Sequence, residues 1–275
     1  MAWMCDALEV SASGYYAWVD RDASPTAVAR MTLAETIAGV HAEVKGRYGS
    51  PRMTAELNAR GYDCTENTVA HLMKAHGIRA KAARRFVRTT DSRHSLPVAE
   101  NLLGRDFAPP GPNVAWSADI TYIPTADGWL YLAVVEDLFS RMIVGWSMGE
   151  TMTSRLVVDA LDMALRRRLP EGGLLAHSDR GSQYASEHYQ RLLGQHGITC
   201  SMSGAAQCWD NAPVESFFAS LKRELVHHER YTTREQAKAS IFEYIEAFYN
   251  RVRRHSSLGY VSPEEFERTH NPNHP

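Results

Sequence analysis

Three carboxylates stand where this 275-residue chain could do chemistry. Asp119 interrupts an otherwise apolar run over residues 114–123. Asp179 ends the short apolar run that closes at His177, and Glu215 follows Asn211-Ala212-Pro213 at the start of a stripe made by Val214, Phe217, Phe218, Leu221 and Leu225. An unpaired carboxylate in an apolar strand is costly unless a cation or a donor meets it. Carboxylates that converge repel one another unless cations intervene, and ligation by oxygen alone suits Mg²⁺ or Mn²⁺. Spacing alone does not single these acids out. Fifty-nine residues separate Asp119 from Asp179 and 35 separate Asp179 from Glu215, but the second interval also separates Asp20 from Glu56 and Asp210 from Glu246. Taken alone, Asp179 in 177-HSDRGSQY-184 reads first as a strand reaching the surface, with Asp and Gly supplying the turn. Local context separates the three acids from the other pairs, and Asp137, Asp210 and Glu224 read as structural.

The elements needed to gather these acids are legible. Residues 114–123 read as a strand, Asp127-Gly128 as a hairpin turn, and residues 129–135 and 142–148 as two further strands. A helix over 154–168, a strand over 174–177, a helix over 187–196 and a strand over 198–202 follow. An antiparallel meander followed by strand–helix alternation predicts a mixed α/β sheet with helices on its faces. Asp179 then sits at the strand edge where open α/β sheets place their sites. Asn211 and Pro213 open a helix whose packed face Glu215 borders.

Before residue 80 the pattern is helical. Thr32 caps a first helix with Leu33, Ile37, Val40 and Val44 inward; Ser50-Pro51 opens a second; Thr65 caps a third with Val69, Leu72 and Met73 inward. The second and third have the proportions of a helix-turn-helix, leaving Asn67, Thr68, His71 and Lys74 outward, although a plain three-helix bundle fits the same pattern. From Lys74 to Arg93 seven Lys/Arg, among them Arg84, Arg85 and Arg88, face one acid, in a chain of net charge −2. That local asymmetry favours DNA. Pro97 and 109-PPGP-112 stiffen the approach to the sheet. The chain thus divides into a helical DNA-binding region with its basic linker (1–95), a core (108–228), and a C-terminal helix with a basic tail (229–275). The four cysteines form no C-x-x-C pair, so structural zinc is not expected. No apolar run reaches membrane-spanning length and no signal peptide is legible, so the reading is a cytoplasmic protein with no membrane partner.

The runs 116-WSADITYIP-124, 177-HSDRGSQY-184, 208-CWDNAPVESFFASLKRE-224 and 249-YNRVRRHSSLGYVSPEEF-266, with 14-GYYAW-18 and 48-YGSPRMTAEL-57, resemble the transposases of bacterial insertion sequences encoded in two overlapping frames, the OrfB or OrfAB type. That family is similar to retroviral integrases. The resemblance implies a ribonuclease-H-like integrase core, a mixed five-stranded sheet with flanking helices, preceded by a small all-α helix-turn-helix region. It implies a DDE acidic triad at Asp119, Asp179 and Glu215 holding two Mg²⁺ (or Mn²⁺) ions per site. The implied reaction is cleavage at the element's ends and transfer of the freed 3′-hydroxyl into target DNA. Its implied partners are the terminal inverted repeats and target DNA, an upstream reading-frame product joined by frameshift fusion, and further copies of the chain as a homo-oligomer on DNA in a bacterial nucleoid. A hydrolytic nuclease and an inert DNA-binding regulator are the rival readings. Lys222, two turns beyond Glu215, is either a solvated lysine or a contact to the DNA end. His177 either touches phosphate or fills the strand end. Arg251, Arg253 and Arg254 belong to a tail that is either a basic clamp or a packing appendage. Residues 203-SGAAQ-207 lack the basic residues usual in the family at that loop.

Overall fold

Residues 1–81, 98–204 and 207–270 are described by the computed structural model. Two short helices precede anything the apolar periodicity reveals: α1 (Ala2–Ala7) and α2 (Ala12–Val19), the second capped by the Ser11 hydroxyl, which accepts from Gly14 N. The first long helix, α3 (Pro25–Glu43), starts at Ser24 and not at Thr32. Ser24-Pro25 is a complete start signal, with the Ser24 hydroxyl accepting from Ala27 N and Pro in the first turn. Val28 and Met31 on the opening turns point outward, so the inward stripe begins only near Leu33 and hides the true start. Thr32 instead donates its hydroxyl to the Val28 carbonyl in mid-helix. α4 (Ser50–Ala59) and α5 (Glu66–Ala75) follow as expected, with Thr65 capping α5 by accepting from Thr68 N. Ile37, Val40, Met53, Leu57, Val69 and Met73 are buried where α3, α4 and α5 meet. These helices belong to one unit, Met1–Ala80; Lys81–Pro275 form a second.

The second unit grows from a hairpin. β1 (Ala115–Thr125) turns through Asp127 into β2 (Gly128–Asp137), with Gly128 at φ 107°, which glycine adopts without strain. β3 (Ile143–Gly149) returns antiparallel along β2. α6 (Ser154–Arg168) then crosses to β4 (Leu175–Ser178), which pairs parallel with β1, and α7 (Glu187–Gln195) crosses to β5 (Thr199–Met202), parallel to β4. The sheet order is β3-β2-β1-β4-β5. This is the mixed five-stranded sheet that the sequence predicts. Trp116, Ala118, Ala133, Val135 and Val144 form one packed face with Leu156, Leu161 and Ala164 of α6 and Tyr189 and Leu193 of α7. Gly145 permits the close approach of α6: a Cβ there would land on the Ala160 carbonyl and on Ala164.

By strand alternation Ile123, Leu132 and Val134 face the other way. They are buried on the side where α8 (Ala212–Glu224) and α9 (Arg234–Phe242) contact β1 and β2. α9 runs on into a π-helical stretch, Glu243–Tyr249, and α10 (Pro263–His270) closes the unit. α9, beyond residue 228, therefore packs on the sheet.

At the Val135/Glu136 irregularity of the β2–β3 ladder, Glu136 is buried and its Oε2 has no hydrogen-bond partner among the described residues. Burial pushes its carboxyl up to about 8, against the opposing pull of Arg141. The folded state thus holds a proton that the unfolded state releases above about pH 4.5. Stability contributed by this group is complete below pH 4.5 and declines as pH rises through 8. Glu136→Gln is expected to flatten that decline and to raise the melting temperature at pH 8 relative to wild type. Parallel denaturation curves for the two proteins from pH 5 to 8 would contradict it.

Candidate active site

β4 pairs with β1 only from Ala115↔Leu175 to Ala118↔Ser178. The next residue of each chain segment is an acid, Asp119 and Asp179. The two acids therefore stand at the same level just beyond the last paired residues, whose backbones are about 4.8 Å apart, Asp119 within β1 and Asp179 one residue past β4. Asp119 Oδ1 accepts from Ile120 N at 2.7 Å, and Asp179 Oδ1 accepts from Gly181 N at 2.8 Å. The second bond is an Asx-turn. Asp179 therefore makes the turn that HSDRGSQY predicts, and that turn brings it level with Asp119.

Glu215 arrives from α8. Asn211 makes no side-chain cap for that helix. Its amide instead donates to the Ala118 carbonyl at 3.1 Å and its side-chain oxygen accepts from the Ser117 hydroxyl, pinning the helix start to β1 immediately before Asp119. Glu215 lies four residues beyond Asn211 and Lys222 seven beyond Glu215, on a shared helix face. Lys222 Nζ sits 5.0 Å from the centre of the Tyr122 ring. α8 thus follows β1 from Ala118 toward Tyr122 and carries Glu215 past the strand segment that bears Asp119. Among the described residues, no three His, Cys, Asp or Glu side chains already form a closed ligand group. The donor set is nevertheless all carboxylate oxygen, the chemistry a hard divalent cation takes.

Three neighbours tune this edge. Lys222 is buried, and desolvation draws its ammonium down to about 8 while Asp119 opposes the shift. It is not the solvated surface lysine that one reading allowed. The Tyr184 hydroxyl is fully buried with no hydrogen-bond partner among the described residues; burial, then Asp119, Tyr189 and Asp179, hold its proton on well above the usual phenol range. His177 fills the strand end: its Nδ1 meets Ser201 Oγ at 2.9 Å and its Nε2 meets Ser203 Oγ at 3.2 Å, and burial draws it down to about 4. Its phosphate-contact reading is thereby replaced by a structural one.

Asp210, the acid whose spacing to Glu246 imitates Asp179 and Glu215, anchors the loop entering α8. It accepts from Arg105 Nε at 2.7 Å, Asn101 Nδ2 at 2.9 Å and Gly204 N at 2.8 Å. Burial pushes its carboxyl up, but the Arg105 and Gly204 bonds outweigh that and hold it below the usual range. Asp210→Ala is expected to cost about 2–4 kcal/mol of stability while cleavage measured well below the lowered melting temperature stays within about tenfold of wild type. Loss of cleavage equal to that of an Asp119 variant would move Asp210 into the catalytic set.

The expected DNA contacts separate. Asn67, His71 and Lys74 are exposed on α5, and Thr68 is half-buried with its hydroxyl 3.0 Å from that of Thr65. Arg84, Arg85 and Arg88 lie outside the described residues. Arg251 is exposed; Arg254 donates to the Tyr260 carbonyl at 2.7 Å. Arg253 is a correction. It is 3% exposed, its guanidinium donates to Glu224 at 2.8 and 3.0 Å and to Ser220 Oγ at 3.0 Å, and Glu224 also accepts from the Tyr244 hydroxyl. An arginine so enclosed packs the tail and meets no phosphate.

Residues 109–208 match the family described as integrase core domain, residues 215–270 match a second integrase core domain description, and residues 29–86 match an HTH-like domain. The transposase InsF for insertion sequence IS3A of Escherichia coli strain K12 is 48% identical over 266 residues, covering 96% of this chain and 92% of its own. The chain belongs to the IS3-type insertion-sequence transposases. Another relative of this transposase, a 31 kDa protein of insertion element IS600 from Shigella sonnei, is 46% identical over 263 residues, covering 96% of this chain and 97% of its own. A chain of the simian T-cell lymphotropic virus intasome, solved with the PP2A regulatory subunit B56 gamma, aligns at 16% identity and TM-score 0.49 over 87% of the transposase and 76% of that chain.

The sequence reading missed Asn211 as a strand tie, Tyr184 as a buried phenol beside two acids, and Arg105 as a loop anchor. Only Tyr184 carried a signal, its place at the end of the HSDRGSQY run.

Proposed function

We propose that this transposase cuts DNA at the ends of its element and joins the freed 3′-hydroxyl to target DNA, with Asp119, Asp179 and Glu215 as a DDE triad. The carrying observation is the register that sets Asp119 beside Asp179, with Asn211 fastening the Glu215 helix to the same strand. The three carboxylates would hold a pair of divalent cations, Mg²⁺ or Mn²⁺. When bound, such ions supply charge that activates the attacking oxygen and stabilises the leaving 3′-oxygen during in-line displacement. The chain's own contribution is placement. The end of the β1–β4 pairing fixes the two aspartates, α8 delivers Glu215, and Lys222 adds positive charge beside Asp119 where a phosphate would lie. Water is the first nucleophile and the DNA 3′-hydroxyl the second, so no side chain needs to attack phosphorus.

The outward residues Asn67, His71 and Lys74 support DNA recognition by α4 and α5, with Arg84, Arg85 and Arg88 adding phosphate contacts. The apolar side chains exposed on α1 to α3, among them Trp3, Leu8, Trp18 and Met31, support assembly with an upstream reading-frame product, as a fusion, into an oligomer on paired ends.

A pre-cut element end incubated with target plasmid and Mg²⁺ tests the reading. Covalent end–target joints are the expected product; cut DNA with no joints would leave a nuclease in its place.

A further inference from the structure

We infer that Trp129, braced by Tyr122, is a stacking site for an unpaired DNA base within a few nucleotides of the reacting phosphate. The inference deepens the cut-and-join reading and rests on it. Trp129 opens β2 and is 50% exposed. Its backbone is held on three sides: it pairs with Pro124 across the ladder, its carbonyl accepts from Arg234 Nε at 3.1 Å, and the turn before it is tied to the start of α9 by Ala126 N to the Tyr231 carbonyl and Arg234 N to Asp127 Oδ2. An exposed indole on so fixed a backbone loses little freedom when it is covered, which favours binding.

The ring's surroundings say what would cover it. Trp129 and Tyr122 meet nearly perpendicular, with centroids 4.9 Å apart, and the Lys222 ammonium lies 5.0 Å from the Tyr122 centroid on the approach to Asp119. Two aromatic rings of the β1–β2 hairpin thus meet a cation carried by α8, and that cation interacts in turn with Asp119. Rings interleaved with positive charge match single-stranded nucleic acid, whose bases offer π faces and whose phosphates offer negative charge. Tyr122 is three residues along β1 from Asp119, and the Trp129 partner Pro124 is five. At a strand rise of about 3.3 Å per residue these are about 10 and 16 Å. That is the reach of about three to five nucleotides at duplex spacing. Bases inside a duplex are stacked on both faces, so only one that has left the stack can cover the ring. The site therefore selects frayed or overhanging DNA next to the cut.

The test is equilibrium binding by the full chain carrying Asp119→Asn, so that DNA stays intact and a failed cut-and-join reading, which has its own joining assay, cannot be mistaken for a failed stacking site. Two element-end oligonucleotides are compared, one fully paired and one with unpaired bases at the five positions flanking the cut. Trp129→Ala is expected to weaken binding of the unpaired DNA by about 5- to 100-fold, the range for loss of one base–aromatic stack, and to leave fully paired DNA within about twofold. Trp129→Phe should retain most of the preference. Abasic sites at the unpaired positions should erase it in the protein that keeps Trp129, a comparison that stands even if the alanine variant folds poorly. Equal losses on both DNAs, no loss on either, or an unpaired-DNA preference that survives abasic substitution would overturn the inference.

Discussion

Asp119→Asn, Asp179→Asn and Glu215→Gln are each expected to lower cleavage and joining by at least about 10³-fold while the protein stays folded. Each change keeps the side-chain volume, and an amide oxygen can still accept from Ile120 N or Gly181 N, the bonds that seat the two aspartates. What is lost is charge at the place where ions would be held. The stability signature is distinctive. Without divalent ions, removing one of several crowded negative charges relieves repulsion, so the melting temperature should hold or rise. With Mg²⁺ or Mn²⁺ the wild type gains stability by mass action, and each variant should lose most of that gain. Asp210→Ala should behave in the opposite way, melting early with its cleavage largely preserved. A triad variant that joins DNA at near wild-type rate would remove that residue from the mechanism.

Arg253→Ala is expected to destabilise the protein by about 3–5 kcal/mol, because it strips the buried Glu224 carboxylate of its bidentate partner and leaves the Tyr244 hydroxyl and the more exposed Arg223, 3.8 Å away, to offset the buried charge. For a unit of this size that is a fall of about 6–20 °C in melting temperature. Replacing both partners, Arg253→Met with Glu224→Leu, should recover much of the loss, since an apolar pair avoids the stranded charge. The salt dependence of DNA binding should not move in either protein, whereas a lost phosphate contact lowers the slope by about 0.9. An unaltered melting temperature together with a shallower slope would return Arg253 to the DNA interface.

The sheet was legible because strand alternation, the Asp127-Gly128 turn and the start of α6 at Ser154 are local signals, and β1 to β5 fall within two residues of their expected limits. The placement of the two candidate aspartates was legible for a related reason: Asp119 breaks an apolar run that forms β1, and Asp179 ends one at a turn. What sequence could not show was tertiary. Asn211 has the form of a helix cap, yet its amide serves β1; Arg253 sits in a basic run, yet Glu224 encloses it; Asp210 has the spacing of a catalytic acid, yet Arg105 and Asn101 hold it. In each case the residue type was right and the partner, far away in sequence, decided its use. Ser24 was missed for another reason, because the opening turns of α3 turn apolar side chains outward and the periodicity began too late.

In the proposed mechanism the acids position a direct attack by DNA on DNA, with no side chain bonded to phosphorus. The stereochemistry of joining tests it most directly. A pre-cut element end is joined to a target whose phosphodiester carries a phosphorothioate of known handedness, and the configuration of the joined product is read. One in-line displacement inverts phosphorus, so inversion is the expected result. Retention would mean two successive displacements through a covalent protein–DNA intermediate, and would contradict it.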